Sequence, residues 1–284
     1  MSDFEFNESV YLAIHPDVGS AVKQGLFESG YQHYQKFGRA EGRQLRRFNT
    51  ESHSIRDYTA LVKRLIAEHP DNLELAMAKA VGALDLDIYR ITGDKHVAIL
   101  QSLGLQTQQH IYDLACGSGR TAAALRRYGW SGTYCGADII PDLLNFARQQ
   151  NPGYEFICHP DYSIHAKDDS LDIVFSWSLF THLHLEEIFL YAQDCYRTLK
   201  PGGVFVFSFL TLNDLAHREI FMNRVAALSR GTDCVHLDTF LDRSTILHMM
   251  TQMLTFKLET FYDGDDDSVT PTGRFGQALV VLRK

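Results

Sequence analysis

Long apolar runs are missing from this 284-residue chain, and so is any run of Lys and Arg dense enough to track a phosphate backbone. The first absence leaves no candidate membrane-spanning helix. The second, with 27 basic residues against 35 acidic and a formal net charge of -8, argues against nucleic acid as a partner. Cysteine is sparse: Cys116, Cys135, Cys158, Cys195 and Cys234 are unevenly spaced and contain no Cys-x-x-Cys pair. That excludes a disulfide scaffold and a zinc ribbon, and it fits a reduced, cytoplasmic chain. The start, Met1-Ser-Asp-Phe-Glu-Phe-Asn-Glu8, is acidic where a secretory signal would be basic, so the expectation is a soluble protein that is not exported. What remains, 45% hydrophobic and 22% charged residues, suffices for one large core and a small appendage.

The appendage is expected at 1–50. Val10, Tyr11, Ile14, then Val18, Val22, then Tyr31, Tyr34, Phe37 recur at helical spacing, and Pro16, Gly25, Gly30 and Gly38 break them. Three short helices follow: one ending near His15, one from Pro16 stopped by Gly25, and one opening near Ser29 and stopped by Gly38. The polar stretch 49–54 reads as a linker. The main domain, 51–284, divides into a helical cover at 51–104 and a core at 105–284. In the cover, apolar stripes through Leu61, Leu65, Ile66 and through Leu73, Met77, Val81, Leu84 predict helices over 57–91, with another over 94–103 ended by Gly104.

After residue 104 the texture changes. Strands are predicted at 111–114, 133–137, 155–158, 171–177 and 204–209, with helices at 120–127, 141–150 and 185–199 between them. Such alternation makes an α/β fold with a parallel sheet covered on both faces. The chain then closes with a helix at 244–254, strands at 255–262 and 277–282 that pair antiparallel, and a solvated acidic tip at 263–267. The Asp263–Asp267 run lacks the spacing and terminal Glu of a calcium loop.

Between the first of these strands and its helix stands Asp113-Leu-Ala-Cys-Gly-Ser-Gly119. A glycine turn into a helix presents backbone N–H groups and the positive helix end to a ligand. Gly117-x-Gly119-x-x-Ala122 formally fits a dinucleotide fingerprint, but a pyrophosphate gains nothing from Asp113 beside the turn, whereas a ligand with an ammonium group does.

The segment resembles the first motif of class I S-adenosylmethionine-dependent methyltransferases, acidic-x-Gly-x-Gly-x-Gly, with Ala115 in place of the first glycine. Leu171-Asp-Ile-Val-Phe-Ser-Trp-Ser-Leu-Phe-Thr-His182 and Tyr196-Arg-Thr-Leu-Lys-Pro-Gly-Gly-Val-Phe-Val206 resemble the later strands of that family, in the right order, over 93–284. The resemblance implies a Rossmann-like, seven-stranded, mostly parallel sheet with an antiparallel last strand. It implies S-adenosyl-L-methionine as cofactor, held by Asp113, Ala115, Gly117, Gly119, Asp138, Ile139, Asp161, Tyr162, Trp177 and Ser178. Asp138 would take the ribose hydroxyls, a role it would also fill for NAD. Asp161 would meet the adenine amino group, or else cap a turn. Pro201 and Gly202 suit the centre of a type II turn.

For the acceptor's proton, His182 is the first candidate base, since it falls just past the fourth strand's end. Its alternative is a helix-capping or supporting role. His184 is the runner-up, and His182, His184 and Glu187 are too poorly placed for a metal site. His96 and His110 read as structural, while His217 and His236 stay open. Phe209, His217, Arg218, Phe221, Met222 and Arg224 suit either a lid over the acceptor or an amphipathic cover helix. Tyr89 and Arg90 either close over the cofactor's methionine end or merely pack.

In the appendage, Val10-Tyr-Leu-Ala-Ile-His-Pro-Asp-Val18 and Tyr31-Gln-His-Tyr-Gln-Lys-Phe-Gly-Arg-Ala-Glu-Gly-Arg43 resemble a short unit found beside bacterial glycosyltransferases and in some secreted repeat proteins. This implies a bacterial enzyme of glycan modification, O-methylating a sugar or related hydroxylated small molecule, with the appendage binding substrate or a protein partner. Methylation of a natural-product amine or carboxyl group, and a non-catalytic scaffold that keeps the cofactor fold, are the alternatives.

Overall fold

The structure is a computed structural model and describes residues 8, 11–12, 15–38, 41, 43, 53–232, 237–270 and 273–284. Two compact units divide the chain, Met1–Thr50 and Glu51–Lys284. Most of the expected first helix, residues 49–52 of the expected linker, Cys234 and His236 lie outside the described residues.

In the first unit, helix α1 (Pro16–Lys23) opens on proline, whose missing N–H costs nothing at a helix start. Gly25, at φ 76°, turns the chain after it. Ser29 caps α2 (Gly30–His33) by accepting from the Gln32 N–H at 3.1 Å, and a π-helical turn, Tyr34–Gly38, continues it. Glu8 accepts from the N–H groups of Gly30 and Tyr31 at 2.6 and 3.0 Å. The buried Tyr11 ring packs on His15 and Tyr34, and its hydroxyl bonds His33 Nδ1 at 3.0 Å. Tyr11 and His33 are therefore buried at the centre of this unit, whereas Tyr31 and Phe37 stay exposed.

The second unit opens with α3 (His53–Glu68), α4 (Leu73–Ala80, capped by Asn72) and α5 (Leu86–Ser102, capped by Asp85). Here the sequence expectation fails. The break lies not at 91–94 but at Gly82, whose φ is 82°, and α5 runs through Gly93 without interruption. Gly93 is a packing residue: a Cβ there would lie 3.0 Å from the Arg120 carbonyl and 3.1 Å from Ala124 Cβ, so its absence lets α5 approach the next helix. Leu84, counted in the apolar stripe, sits in the break and is 80% exposed. Gly93→Leu should cost about 1–3 kcal/mol of stability by overpacking, partly offset by better helix propensity. A urea midpoint equal to that of the wild type would refute this account of the close approach.

Strands β1 (His110–Leu114), β2 (Thr133–Asp138), β3 (Glu155–Cys158), β4 (Leu171–Ser176), β5 (Leu199–Phe209), β6 (Lys257–Tyr262) and β7 (Ala278–Arg283) form one sheet in the order β3-β2-β1-β4-β5-β7-β6. Only β7 runs antiparallel to its neighbours. Alternate residues face opposite layers, as strand geometry requires. Ile111, Ile173, Val204 and Val206 pack with α5, α6 (Arg120–Arg127) and α7 (Pro141–Gln150). Tyr112, Val174, Phe205, Phe207 and Phe209 pack with α8 (Leu185–Thr198) and α10 (Arg243–His248), which a π-helical turn, Met249–Met253, extends. Both faces are covered, so the strands read as nearly continuous apolar runs.

Three local expectations need correction. β5 starts at Leu199, before the expected 204, because Leu199 pairs with Leu171 of β4 and Gly202 donates to the Lys284 carbonyl at 3.1 Å. Gly202 still has the positive φ, 80°, of a type II turn. Residues 263–277 are no tight hairpin tip: Gly276 and Phe275 donate back to the Gly264 and Asp266 carbonyls, and Phe275 is buried. Phe209 lies in the core, not in a cover. The segment after β5 carries α9 (Leu215–Ser229), which has no clear apolar stripe and exposes Leu215, Met222 and Leu228.

Candidate functional site

In an open parallel sheet the strands' carboxyl ends form a crevice where the strand order reverses. Here that point lies between β1 and β4. The turn after β1 holds Ala115, Gly117 and Gly119 at φ 62°, 56° and 82°. The first requirement explains why glycine is the usual residue at position 115, and Ala115 carries the strain of on the order of 1 kcal/mol. The glycines answer to the protein's own packing: a Cβ on Gly117 would lie 2.6 Å from Val81 Cγ1, and one on Gly119 would lie 2.9 Å from Ala147 Cβ and Asn151 Nδ2. Tyr89 on α5 reaches the same turn, its hydroxyl 3.2 Å from the Ser118 carbonyl and 3.1 Å from its Oγ.

Asp138 ends β2 and is buried. Its Oδ2 accepts from the Gly117 N–H at 2.8 Å and its Oδ1 from the Ile140 N–H at 3.0 Å. Burial raises its pKa, and the N–H groups of Ile140, Gly117 and Ile139 oppose the rise. Each carboxylate oxygen keeps a further lone pair for a ligand hydroxyl. Ile139 packs at the edge of the cluster formed by α3, α4 and α7.

Asp113 is 2% exposed and turned under the α5–α6 layer, where its Oδ2 accepts from the Tyr134 hydroxyl at 2.5 Å. Burial pushes its pKa up to about 6. Asp161, in the loop after β3, has an Oδ1 that is fully buried and has no hydrogen-bond partner. Its carboxyl is likewise pushed up to about 6 by burial, with His165 opposing. Beside it Tyr162 donates to Glu187 Oε1, and Glu187 Oε2 accepts from the His184 N–H at 2.7 Å, closing the start of α8. That places His184 as a helix cap. Among the described residues no three His, Cys, Asp or Glu side chains converge to hold a metal ion.

Beyond β4, Trp177 lies against His96, and Ser178 adopts φ 62° with its N–H on Ser208 Oγ at 2.8 Å. The turn then delivers His182, whose Nδ1 lies 2.7 Å from the Leu237 carbonyl and 3.8 Å from Asp238 Oδ1. The strand of chain after α9 fixes this turn, since Thr239 donates to the Thr181 and Leu183 carbonyls at 2.7 and 2.8 Å. Arg224 on α9 pairs with Asp238. His217 is buried, bonded to Thr211 and to the Gly276 carbonyl at 3.0 Å, which makes it structural.

Sequence reading missed Arg120 and Thr121, which open α6, and set His96 aside. No motif marked them; only the fold brings α5 against α6.

The residues present fit a nucleoside with an amino-acid tail. Asp138 offers acceptors for ribose, the unpartnered Asp161 oxygen offers one for an exocyclic amine, and Arg120 brings a guanidinium to the turn. The Asp161 role predicts a pH effect with a definite sign. If its ionised form accepts from the adenine amine, affinity for S-adenosylhomocysteine holds above pH 6 and falls up to about tenfold per unit below it. Folding of the empty protein has the opposite dependence, because the raised pKa makes this group's contribution less favourable as pH climbs from the unfolded value toward 6. Titration calorimetry between pH 5 and 8 on the wild type and Asp161→Asn reads the binding effect and urea unfolding over the same range the folding one, and an identical binding slope in the two would reject the assignment.

Residues 112–207 match a family model described as a methyltransferase domain. Over 108 residues the chain is 29% identical to trans-aconitate 2-methyltransferase of Rhodopseudomonas palustris (strain BisB18), covering 37% of this chain and 40% of that one. Over 142 residues it is 26% identical to malonyl-[acyl-carrier protein] O-methyltransferase of Serratia marcescens, covering 49% and 53% respectively. The chain thus spans about half or less of the length of these relatives. A solved S-adenosylmethionine-dependent methyltransferase from Methanosarcina mazei superposes with a TM-score of 0.52 at 19% identity, covering 65% of this chain and 96% of that one. Another, from Mesorhizobium loti, gives 0.50 at 18% identity, covering 66% and 96%. Residues 112–207 thus resemble a methyltransferase domain, and the chain shares the Rossmann-like fold of solved methyltransferases.

Proposed function

We propose that this chain is a methyltransferase that takes its methyl group from S-adenosyl-L-methionine and delivers it to an acceptor oxygen. The observation that carries the cofactor reading is the pair of carboxylates at the ends of β2 and β3: Asp138, fastened to the glycine turn, and Asp161, with a buried oxygen that nothing in the protein satisfies. The family match over 112–207 supports it. When bound, the cofactor supplies an activated methyl group.

The protein's residues then have three tasks: to hold the nucleoside, to align the acceptor, and to take the acceptor's proton. Asp138 and Asp161 serve the first. For the third, His182 is the proposed base. Its Nδ1 donates to the Leu237 carbonyl, which puts the basic lone pair on Nε2. Asp238, 3.8 Å from Nδ1, favours the positive ring that results from proton uptake. A base of this kind suits a hydroxyl, and the glycosyltransferase-associated resemblance of 10–43 supports a sugar as its bearer. A carboxyl acceptor is the second reading, favoured by the relatives named for trans-aconitate and malonyl-[acyl-carrier protein].

The direct test is release of S-adenosylhomocysteine over a panel of sugars, other hydroxylated molecules and small carboxylic acids. Turnover with one class assigns the acceptor. No release with any, from a protein that binds the cofactor, would sink the catalytic reading and leave a scaffold.

A further inference from the structure

Ser178 stands just past the end of β4, in the turn that leads to His182, and its backbone is left-handed, at φ 62°. A residue with a β-carbon is strained in that conformation and keeps it only where its surroundings fix it. Three contacts do so here. The Ser178 N–H donates to Ser208 Oγ at 2.8 Å, the Ser178 carbonyl accepts from Thr181 Oγ1 at 2.6 Å, and Ser178 Oγ is bonded to the side-chain amide of Gln277. Gln277 directly precedes β7 and lies 99 residues along the chain from Ser178. Its neighbour Gly276 is itself held, donating to the Gly264 carbonyl at 2.7 Å and accepting from His217 Nε2 at 3.0 Å.

The direction of each hydrogen follows from the partners. Ser208, on β5, is fully buried, and because its Oγ accepts the Ser178 N–H, its own hydrogen goes to Gln277 Oε1 at 2.7 Å. That sets the other end of the amide, the NH2, against Ser178 Oγ, to which it donates. Ser178 Oγ thus receives a hydrogen from Gln277, and its own hydrogen points away from that amide. Among the described residues no acceptor takes it. Ser178 is half-buried at the carboxyl end of the sheet, in the same turn as His182, whose N–H donates to the Leu179 carbonyl at 2.9 Å.

We propose that the Ser178 hydroxyl donates a hydrogen bond to an oxygen of the methyl acceptor, with the Gln277 amide directing it and Ser208 fixing the amide. Ser178 touches the acceptor; Gln277 and Ser208 are positioning residues. The site therefore selects molecules that carry an oxygen lone pair at or beside the methylated atom. That oxygen belongs to a carboxylate or to a hydroxyl, and the inference rests on the methyl-transfer reading above.

The test is steady-state kinetics on Ser178→Ala, Gln277→Glu and the double variant, using the sugar or carboxylic acid of the panel above that the wild type turns over fastest, together with S-adenosylhomocysteine calorimetry. In Gln277→Glu the carboxylate accepts from both serine hydroxyls, so the circuit of bonds survives while the Ser178 hydrogen is drawn inward. Ser178→Ala removes that hydrogen outright. Both variants should lose kcat/KM for the acceptor, about 10- to 100-fold for a carboxylate and about 3- to 10-fold for a neutral hydroxyl, the ranges for hydrogen bonds to charged and neutral oxygens. S-adenosylhomocysteine affinity should stay within about twofold, and the two losses should not add in the double variant, because both remove the same hydrogen bond. Ser178→Gly relaxes the left-handed backbone and should match Ser178→Ala in kcat/KM, which keeps the test readable if Gln277→Glu fails to fold. Were Ser178 only a prop for the turn, Ser178→Ala would lower nucleoside affinity along with kcat/KM, and Gln277→Glu, which keeps the prop, would lower neither. That pattern overturns the proposal, as do variants that match a wild type that turns over. A wild type that releases no S-adenosylhomocysteine with any acceptor removes the methyl-transfer reading and this proposal with it.

Discussion

Replacing Asp138 with alanine should cost the protein about 2–6 kcal/mol of stability and weaken S-adenosylhomocysteine binding at least about 100-fold. The stability figure comes from two backbone N–H groups, those of Gly117 and Ile140, left buried without an acceptor at about 1–3 kcal/mol each. The binding figure adds the lost ribose contact to a loosened turn, since the Gly117 N–H is what fastens that turn to the end of β2. Asp138→Asn is the discriminating variant. Its amide oxygen can accept from one N–H, but its NH2 then faces the other, so it should fall between wild type and alanine in urea midpoint. If Asp138→Ala unfolds within 0.5 kcal/mol of the wild type, the carboxylate is not what secures the turn, with the margin set by ordinary surface substitutions.

The core of this fold is legible because parallel strands, buried on both faces, and amphipathic helices leave opposite periodicities in the sequence. β3, α6 and α7 lie at their predicted bounds. Illegible features depend on contacts between distant segments. Gly93 falls in the gap expected between the helices at 57–91 and 94–103, whereas here it lies within α5 and admits the Arg120 backbone. The early start of β5 depends on Lys284 at the far end of the chain. The same limit applies at the site. Asp138 and the glycine turn are adjacent in a known pattern, so their meeting was expected. That Asp113 turns under α5 and α6, and that Arg120 and His96 are left unsatisfied there, depends on how two helices pack over one strand. The role of the glycines also changed. Their missing side chains make room for Val81, Ala147 and Asn151, which shapes the turn from behind as well as clearing it in front.

His182→Ala should lower kcat with a hydroxyl acceptor by about 10²- to 10⁴-fold, the usual contribution of a positioned base, while KM and S-adenosylhomocysteine affinity stay within a few-fold. The separation of kcat from binding matters because His182 is also part of the structure. Its Nδ1 ties the turn after β4 to Leu237, and the centre of its ring lies 5.5 Å from that of Tyr58 on α3. A residue that only supported the turn would, when removed, loosen Trp177 and Ser178 as well, and nucleoside binding would fall with kcat. Asp238→Asn refines the test. It keeps the shape of the side chain that pairs with Arg224 but removes the charge that favours a protonated ring, so kcat should fall by a smaller factor, on the order of tenfold, with binding intact. A carboxylate acceptor gives a different pattern, because it arrives already deprotonated and needs no base. In that case His182→Ala would leave kcat nearly unchanged, and the hydroxyl reading would give way to the carboxyl one.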